Sequence, residues 1–152
     1  MTLDDTDSAL LRHLQRNGTA TAQELGEALN LSASQAGRRR QRLEEAGIIQ
    51  GYRARIDPAR VGLAVQAFVQ VQLARHGAEE GRAFLRLLST RAEITSAWTM
   101  TGEADYLLRV YCPDLPGLNR LIHEVLLANP VVARVQSQIV MDQPKADAPL
   151  PV

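Results

Sequence analysis

The sequence predicts an α+β protein in two parts, an N-terminal helix-turn-helix and a C-terminal ferredoxin-like βαββαβ sandwich. Three observations predict it. Before residue 50 the apolar residues recur at helical spacing; beyond Gly62 alternating apolar/polar stretches take turns with helical ones; and residues 32–46 form a helix with one basic side. The boundaries that follow are 1–50 for the helix-turn-helix, 51–62 for a linker strand or hinge, 63–143 for the sandwich and 144–152 for a flexible tail with three prolines.

Leu3, Leu10, Leu11 and Leu14 share one side of a first helix, with Asp4, Asp5 and Asp7 at its positive end and Asn17-Gly18 as its stop. Thr21 with Glu24 has capping-box spacing and opens a short second helix carrying Leu25 and Ala28. After the Leu29-Asn30-Leu31 turn, Ser32 and Gln35 repeat that spacing, and Gly47 suits the left-handed conformation that ends a helix. The second and third helices so placed make a helix-turn-helix. On the third, Ala36 and Leu43 face the core; Ser34, Arg38, Gln41 and Arg42 face away, with Gln35 at the edge. Arginine can fork onto guanine and glutamine onto adenine, while serines and the other arginines can hold phosphates, which is the chemistry of a major-groove helix. A merely solvated charged face is the alternative. Residues 48–56 suggest a short extended ribbon, a wing or a linker strand, ended by Asp57-Pro58.

Beyond Gly62, Val65, Ala67, Val69, Val71 and Leu73 alternate with Gln66, Phe68, Gln70 and Gln72 in a first strand. A helix follows from Ala78 to about Ser89. Two apolar runs, 94–100 and 106–111, are joined by Thr101-Gly102-Glu103-Ala104-Asp105 as a hairpin. Asp114 can cap a helix carrying Leu118, Leu121, Ile122, Val125 and Leu126, and residues 131–141 form the last strand. This order places both helices on one sheet face. The other face would show Gln66, Phe68, Gln70 and Gln72 with Arg134, Gln136 and Gln138, a surface suited to a self-complementary homodimer, with a simply solvated face as the alternative.

With 152 residues, 45% of them hydrophobic, the chain can build a core in each part. The net charge is zero, so an affinity for nucleic acid must rest on the local cluster Arg38, Arg39, Arg40 and Arg42. Cys112 is alone, which excludes an intrachain disulfide and a cysteine-built zinc site and points to a reducing cytoplasm. No apolar run approaches the roughly 20 residues of a membrane span, and the opening residues carry acids where a signal peptide has its apolar core. An enzyme is not expected. His13, His76 and His123 lack metal-ligand spacing, and neither a phosphate-cradling glycine loop nor an activated nucleophile is present.

These pieces together resemble the Lrp/AsnC family of bacterial and archaeal regulators over nearly the whole length. The resemblance is carried by Leu3-Asp4 with Asp7 and Leu10-Leu11; by Leu31-Ser32 through Arg39 and Arg42-Leu43-Glu44; by Gly47-Ile48-Ile49 and Gly51-Tyr52; by Asp57 with Gly62; by Thr101-Gly102 with Asp105-Tyr106-Leu107-Leu108; and by Ser137 with Ile139-Val140. It implies a DNA-binding winged helix-turn-helix joined by a linker strand to an effector-sensing domain, and dimers that assemble into tetramers or octamers. It places double-stranded DNA against Ser32, Ser34, Gln35, Arg38, Arg39 and Arg42. There are two departures. Arg40 stands where the family has a branched apolar residue, so its stem either snorkels past Ala36 and Leu43 or reaches a phosphate. Val135 stands where a threonine is frequent near the sensing pocket.

The resemblance further implies a small-molecule effector, commonly an amino acid, held by the hairpin between dimers; no other cofactor and no metal are expected. A zwitterion needs donors for its carboxylate and an acceptor for its ammonium. Amides around Gly102 in the Thr101-Gly102-Glu103 turn can approach closely, Asp105 supplies negative charge, Trp98 and Met100 offer an apolar wall, and Ser137 adds a polar contact. Three alternatives remain open: Gly102 and Asp105 as plain turn formers, an effector-independent architectural DNA-binding protein, and a non-DNA amino-acid-sensing module.

Overall fold

The structure is a computed structural model that describes residues 2–74 and 77–152. It divides into two compact units, residues 1–55 with 144–152, and residues 56–143.

The first unit is built on α1 (Asp5–Arg16), α2 (Ala22–Leu29) and α3 (Ala33–Glu45). Each helix opens with a complete capping box: Asp4 with Asp7, Thr21 with Glu24, Ser32 with Gln35. These satisfy amides that the helix itself leaves free. Asn30 takes a left-handed conformation between α2 and α3, and Gly47 does the same after α3, so that Ile48 N–H closes back onto the Leu43 carbonyl. Leu10, Leu11, Leu14, Ala20, Leu25, Ala36 and Leu43 form the core. Full burial of each leucine contributes about 1.5–3 kcal/mol. The ribbon expected at residues 48–56 forms no strand, so this chain builds no β-wing there. Residues 144–152, expected to be a flexible tail, lack regular structure but group with the helices.

The second unit runs β1 (Val65–Leu73), α4 (Ala78–Ser89), β2 (Ile94–Thr99), β3 (Tyr106–Cys112), α5 (Leu115–Arg120) and β4 (Val132–Ile139). The sheet order is β2-β3-β1-β4 with every neighbouring pair antiparallel, which is the ferredoxin-like arrangement. Ala67, Val69, Val71 and Leu73 point into a core with Phe84, Leu88, Leu118, Leu121 and Leu126. The last helix departs from expectation. After Arg120 it widens into a π-helical stretch, Leu121–Leu126, in which Leu127 N–H bonds to the Ile122 carbonyl. The wider turn lets Leu121 and Leu126, five apart, both reach the core, where an α-helical turn would rotate one away. Cys112 is buried there, and burial, then Glu93 and Asp114, push its thiol above the ordinary range.

Candidate nucleic-acid interface and ligand domain

The arginines of α3 are sorted by their partners. Arg42 Nη2 donates to both carboxylate oxygens of Asp7, at 2.8 and 2.7 Å, and Arg39 Nη1 donates to Asp7 Oδ1 and Asp4 Oδ2, each at 2.7 Å. Asp7 is 1% exposed. It lies on the apolar stripe of α1, between Leu3 and the Leu10-Leu11 pair, and that position is the sequence signal that marks it as more than a helix-dipole acid. A buried carboxylate needs partners, and two guanidiniums supply them. α1 thereby fixes the rotation of α3. The Arg39 hydrogen bond also holds the Asp4 carboxyl below its ordinary range.

Arg40 takes neither course expected for it in full. Its guanidinium stacks over the Tyr52 ring at 4.6 Å, its Nε donates to Glu44 at 2.9 Å and its Nη1 to the Ala20 carbonyl at 3.1 Å. Tyr52 Oη also donates to Glu44, and these two hydrogen bonds lower the Glu44 carboxyl. Arg40 is therefore a clasp within the unit.

Of the other residues expected to meet DNA, Ser32 and Gln35 are exposed but engaged in the α3 capping box, and Ser34 and Arg38 are exposed. Arg38 makes no hydrogen bond or ion pair among the described residues. Leu31, Gln35, Arg38, Arg39 and Arg42 line one depression of about 370 Å³ on this basic side.

In the second unit the hairpin is anchored through Asp105. Its N–H donates to the Val71 carbonyl at 3.0 Å, and its Oδ2 accepts from Leu73 N–H at 2.7 Å, extending the β1 ladder with a side chain. Gly102 has φ of 109°, and a Cβ there would meet only open space, so backbone conformation rather than crowding requires glycine. Glu103 lines a small polar hollow with Gln70, Gln72, Arg134 and Gln136 on the open sheet face. Trp98, 44% exposed, stands opposite Leu107 on that same face, and Met100, 43% exposed, follows at the turn beside Thr101. Ser137 pairs with Val69 and so belongs to the helix-covered face, apart from Trp98. Among the described residues no group of His, Cys, Asp or Glu could hold a metal, and no helix is long and apolar enough to cross a membrane. His76 lies outside the described residues.

Residues 3–44 match the AsnC-type helix-turn-helix domain, and residues 66–150 match the Lrp/AsnC ligand binding domain. The chain belongs to the Lrp/AsnC family. Like its relatives in that family, it is a transcriptional regulator with a DNA-binding helix-turn-helix. It is 34% identical over 150 residues to the DNA-binding transcriptional activator DecR of Escherichia coli, covering 99% of both chains. It is 34% identical over 143 residues to the leucine-responsive regulatory protein of Rhizobium meliloti, covering 94% of this chain and 92% of that one. The structure superposes on the transcriptional regulator NMB0573/L-Met complex from Neisseria meningitidis with a TM-score of 0.94 at 36% identity, over 99% of this chain and 97% of that one. As an Lrp/AsnC protein it carries the DNA-reading helix in its first unit and the ligand-binding fold in its second.

Proposed function

We propose that this regulator reads DNA through Ser34 and Arg38 of α3, with Gln35, Arg39 and Arg42 at the flank, and changes its DNA binding when an amino acid occupies the 101–105 hairpin. It acts by binding, in the cytoplasm, as a homodimer that assembles into tetramers or octamers. Two recognition helices of a dimer then meet half-sites about one helical turn apart, roughly 34 Å or a multiple of it. The observation that carries the DNA reading is the division of the arginines. Asp7 and Asp4 hold Arg39 and Arg42, and Glu44 and Tyr52 hold Arg40, so Arg38 is the α3 arginine with its fork unengaged.

The test is anisotropy titration against genomic fragments selected by binding, at several salt concentrations. Arg38→Ala is expected to weaken binding by about 10-fold or more, as loss of a bidentate base contact costs about 1–3 kcal/mol. Unchanged affinity removes Arg38 from the interface. Binding that does not weaken as salt rises would remove DNA altogether in favour of an amino-acid-sensing module.

An amino-acid effector is supported by the methionine complex of the Neisseria protein, and by a hairpin turn that carries Gly102, Glu103 and Asp105 within four residues, with Gly102 in a left-handed conformation. Thermal-shift measurement against the twenty amino acids checks it. A ligand at a hundred times its Kd stabilises the folded state by about 2.7 kcal/mol, and that gain should vanish in Trp98→Ala. Trp98 is half-exposed, so its loss leaves the core intact. A gain that survives in Trp98→Ala moves the pocket elsewhere; no gain with any amino acid favours an effector-independent architectural protein.

A further inference from the structure

The chain passes between its two units twice, at residues 55–56 and again at 143–144, because residues 144–152 return to the helices. The return is specific. Pro149 and Pro151 flank Leu150, so Leu150 carries the only amide N–H of the Pro-Leu-Pro stretch. That N–H donates to Gln15 Oε1 at 2.5 Å, and the Leu150 carbonyl accepts from Gln15 Nε2 at 3.2 Å. Arg12 Nη1 donates to the Val152 carbonyl at 2.7 Å. One glutamine amide thus reads both backbone groups of the residue between the prolines, as a neighbouring strand would. Arg12 and Gln15 lie three apart and share one face of α1. Beside them Leu14, Ile48 and Tyr52 line a cavity of about 280 Å³ whose wall Leu150 and Val152 help to form.

We propose that this face of α1 is a peptide-docking surface, and that its occupant is the chain's own 148–152 segment. The segment is a strap, giving the DNA-binding unit a second attachment to the ligand-binding domain besides the linker. Its backbone recognition suits a proline-flanked peptide, which is stiff before it docks and loses little freedom on docking. Tethering supplies the high effective concentration that three exposed hydrogen bonds need.

Lys145 is the only lysine, so endoproteinase Lys-C cuts the native full chain at one place and releases residues 146–152. Gln15→Ala removes the reading amide, and Leu150→Pro removes the N–H while keeping the segment extended. Both are expected to be cut about fivefold faster than wild type or more, since cleavage proceeds from the undocked state. Cleavage of both variants at the wild-type rate overturns the proposal. Acceleration that depends on protein concentration also overturns it, by placing the strap on a neighbouring copy. Wild-type protein trimmed by Lys-C should melt several degrees lower, and melting unchanged by trimming overturns the proposal too. Arg38→Ala should leave the cleavage rate alone, which keeps this result separate from DNA reading.

Discussion

Asp7→Ala is expected to lower the melting temperature of the helical unit by roughly 12–24 °C, from about 3 kcal/mol of lost stability at 4–8 °C per kcal/mol in a domain this small. The carboxylate is 1% exposed and accepts three short bonds from two arginines, so truncation leaves both guanidiniums without their shared counter-charge. The figure stays at the low end for a broken buried pair because Arg42 is 51% exposed and Arg39 keeps Asp4. Asp4→Ala should cost less, since Asp4 is half-exposed and its carboxylate holds one arginine, Arg39, besides the Asp7 N–H of the α1 capping box. Three lowered carboxyls set the acid limit of the unit. Asp4, Glu24 and Glu44 all have folded-state carboxyls held below their ordinary values, by Arg39, by Thr21, and by Arg40 with Tyr52. A lowered folded value means stability that is present above the unfolded pKa and lost as pH falls through the folded one. The helical unit should therefore hold its melting temperature down to about pH 4 and lose it below. A change under about 3 °C for Asp7→Ala, measured by the ellipticity of the helices at pH 7, would sink the idea that this cluster sets the α1–α3 angle.

The legible parts of this chain were those written in local periodicity and caps. Thr21 with Glu24 and Ser32 with Gln35 mark helix starts that the structure reproduces, and the alternation from Val65 to Leu73 marks a strand buried on one face. Less legible was whatever depends on residues far apart in sequence. A helical wheel puts Arg39 and Arg42 on or beside the polar side of α3, but only folding reveals that Asp7, more than thirty residues earlier, engages both. Arg40 looked like a misfit between Ala36 and Leu43; its partners Tyr52 and Ala20 lie in a loop on one side and a helix junction on the other. Asp105 was legible as a turn acid, whereas its bond to Leu73 N–H requires the neighbouring strand. Ser137 was grouped with Trp98 by kinship of motif, and register puts them on opposite faces. Residues 144–152 have the composition of a loose end, and nothing local says that Gln15 awaits Leu150.

Gly26→Ala is expected to destabilise the helical unit by about 1–2 kcal/mol and to weaken DNA binding at least about tenfold, although the same change in a free helix would stabilise it. The two effects have opposite signs, and distances decide between them. Alanine in place of glycine favours a helix by about 0.5–1 kcal/mol. At position 26, however, a Cβ would lie 2.7 Å from the Leu31 carbonyl oxygen and 3.2 Å from Ala33 N and Ser32 C, all backbone. No rotamer can relieve that contact, so the turn itself must retreat toward the ordinary 3.4 Å separation. The turn is also held to this glycine, since Leu31 N–H bonds to the Gly26 carbonyl at 2.8 Å. Ser32 caps α3, so moving the turn moves the start of the reading helix. Gly37, inside α3, makes the control: its Cβ would sit 3.6 Å from the Ala22 Cβ, an ordinary contact. Gly37→Ala should accordingly raise stability by about 0.5–1 kcal/mol through helix propensity alone. Chemical denaturation and DNA anisotropy on both variants separate the cases. If Gly26→Ala also stabilised the unit, the close approach of α2 to the turn would have no part in holding α3 in place.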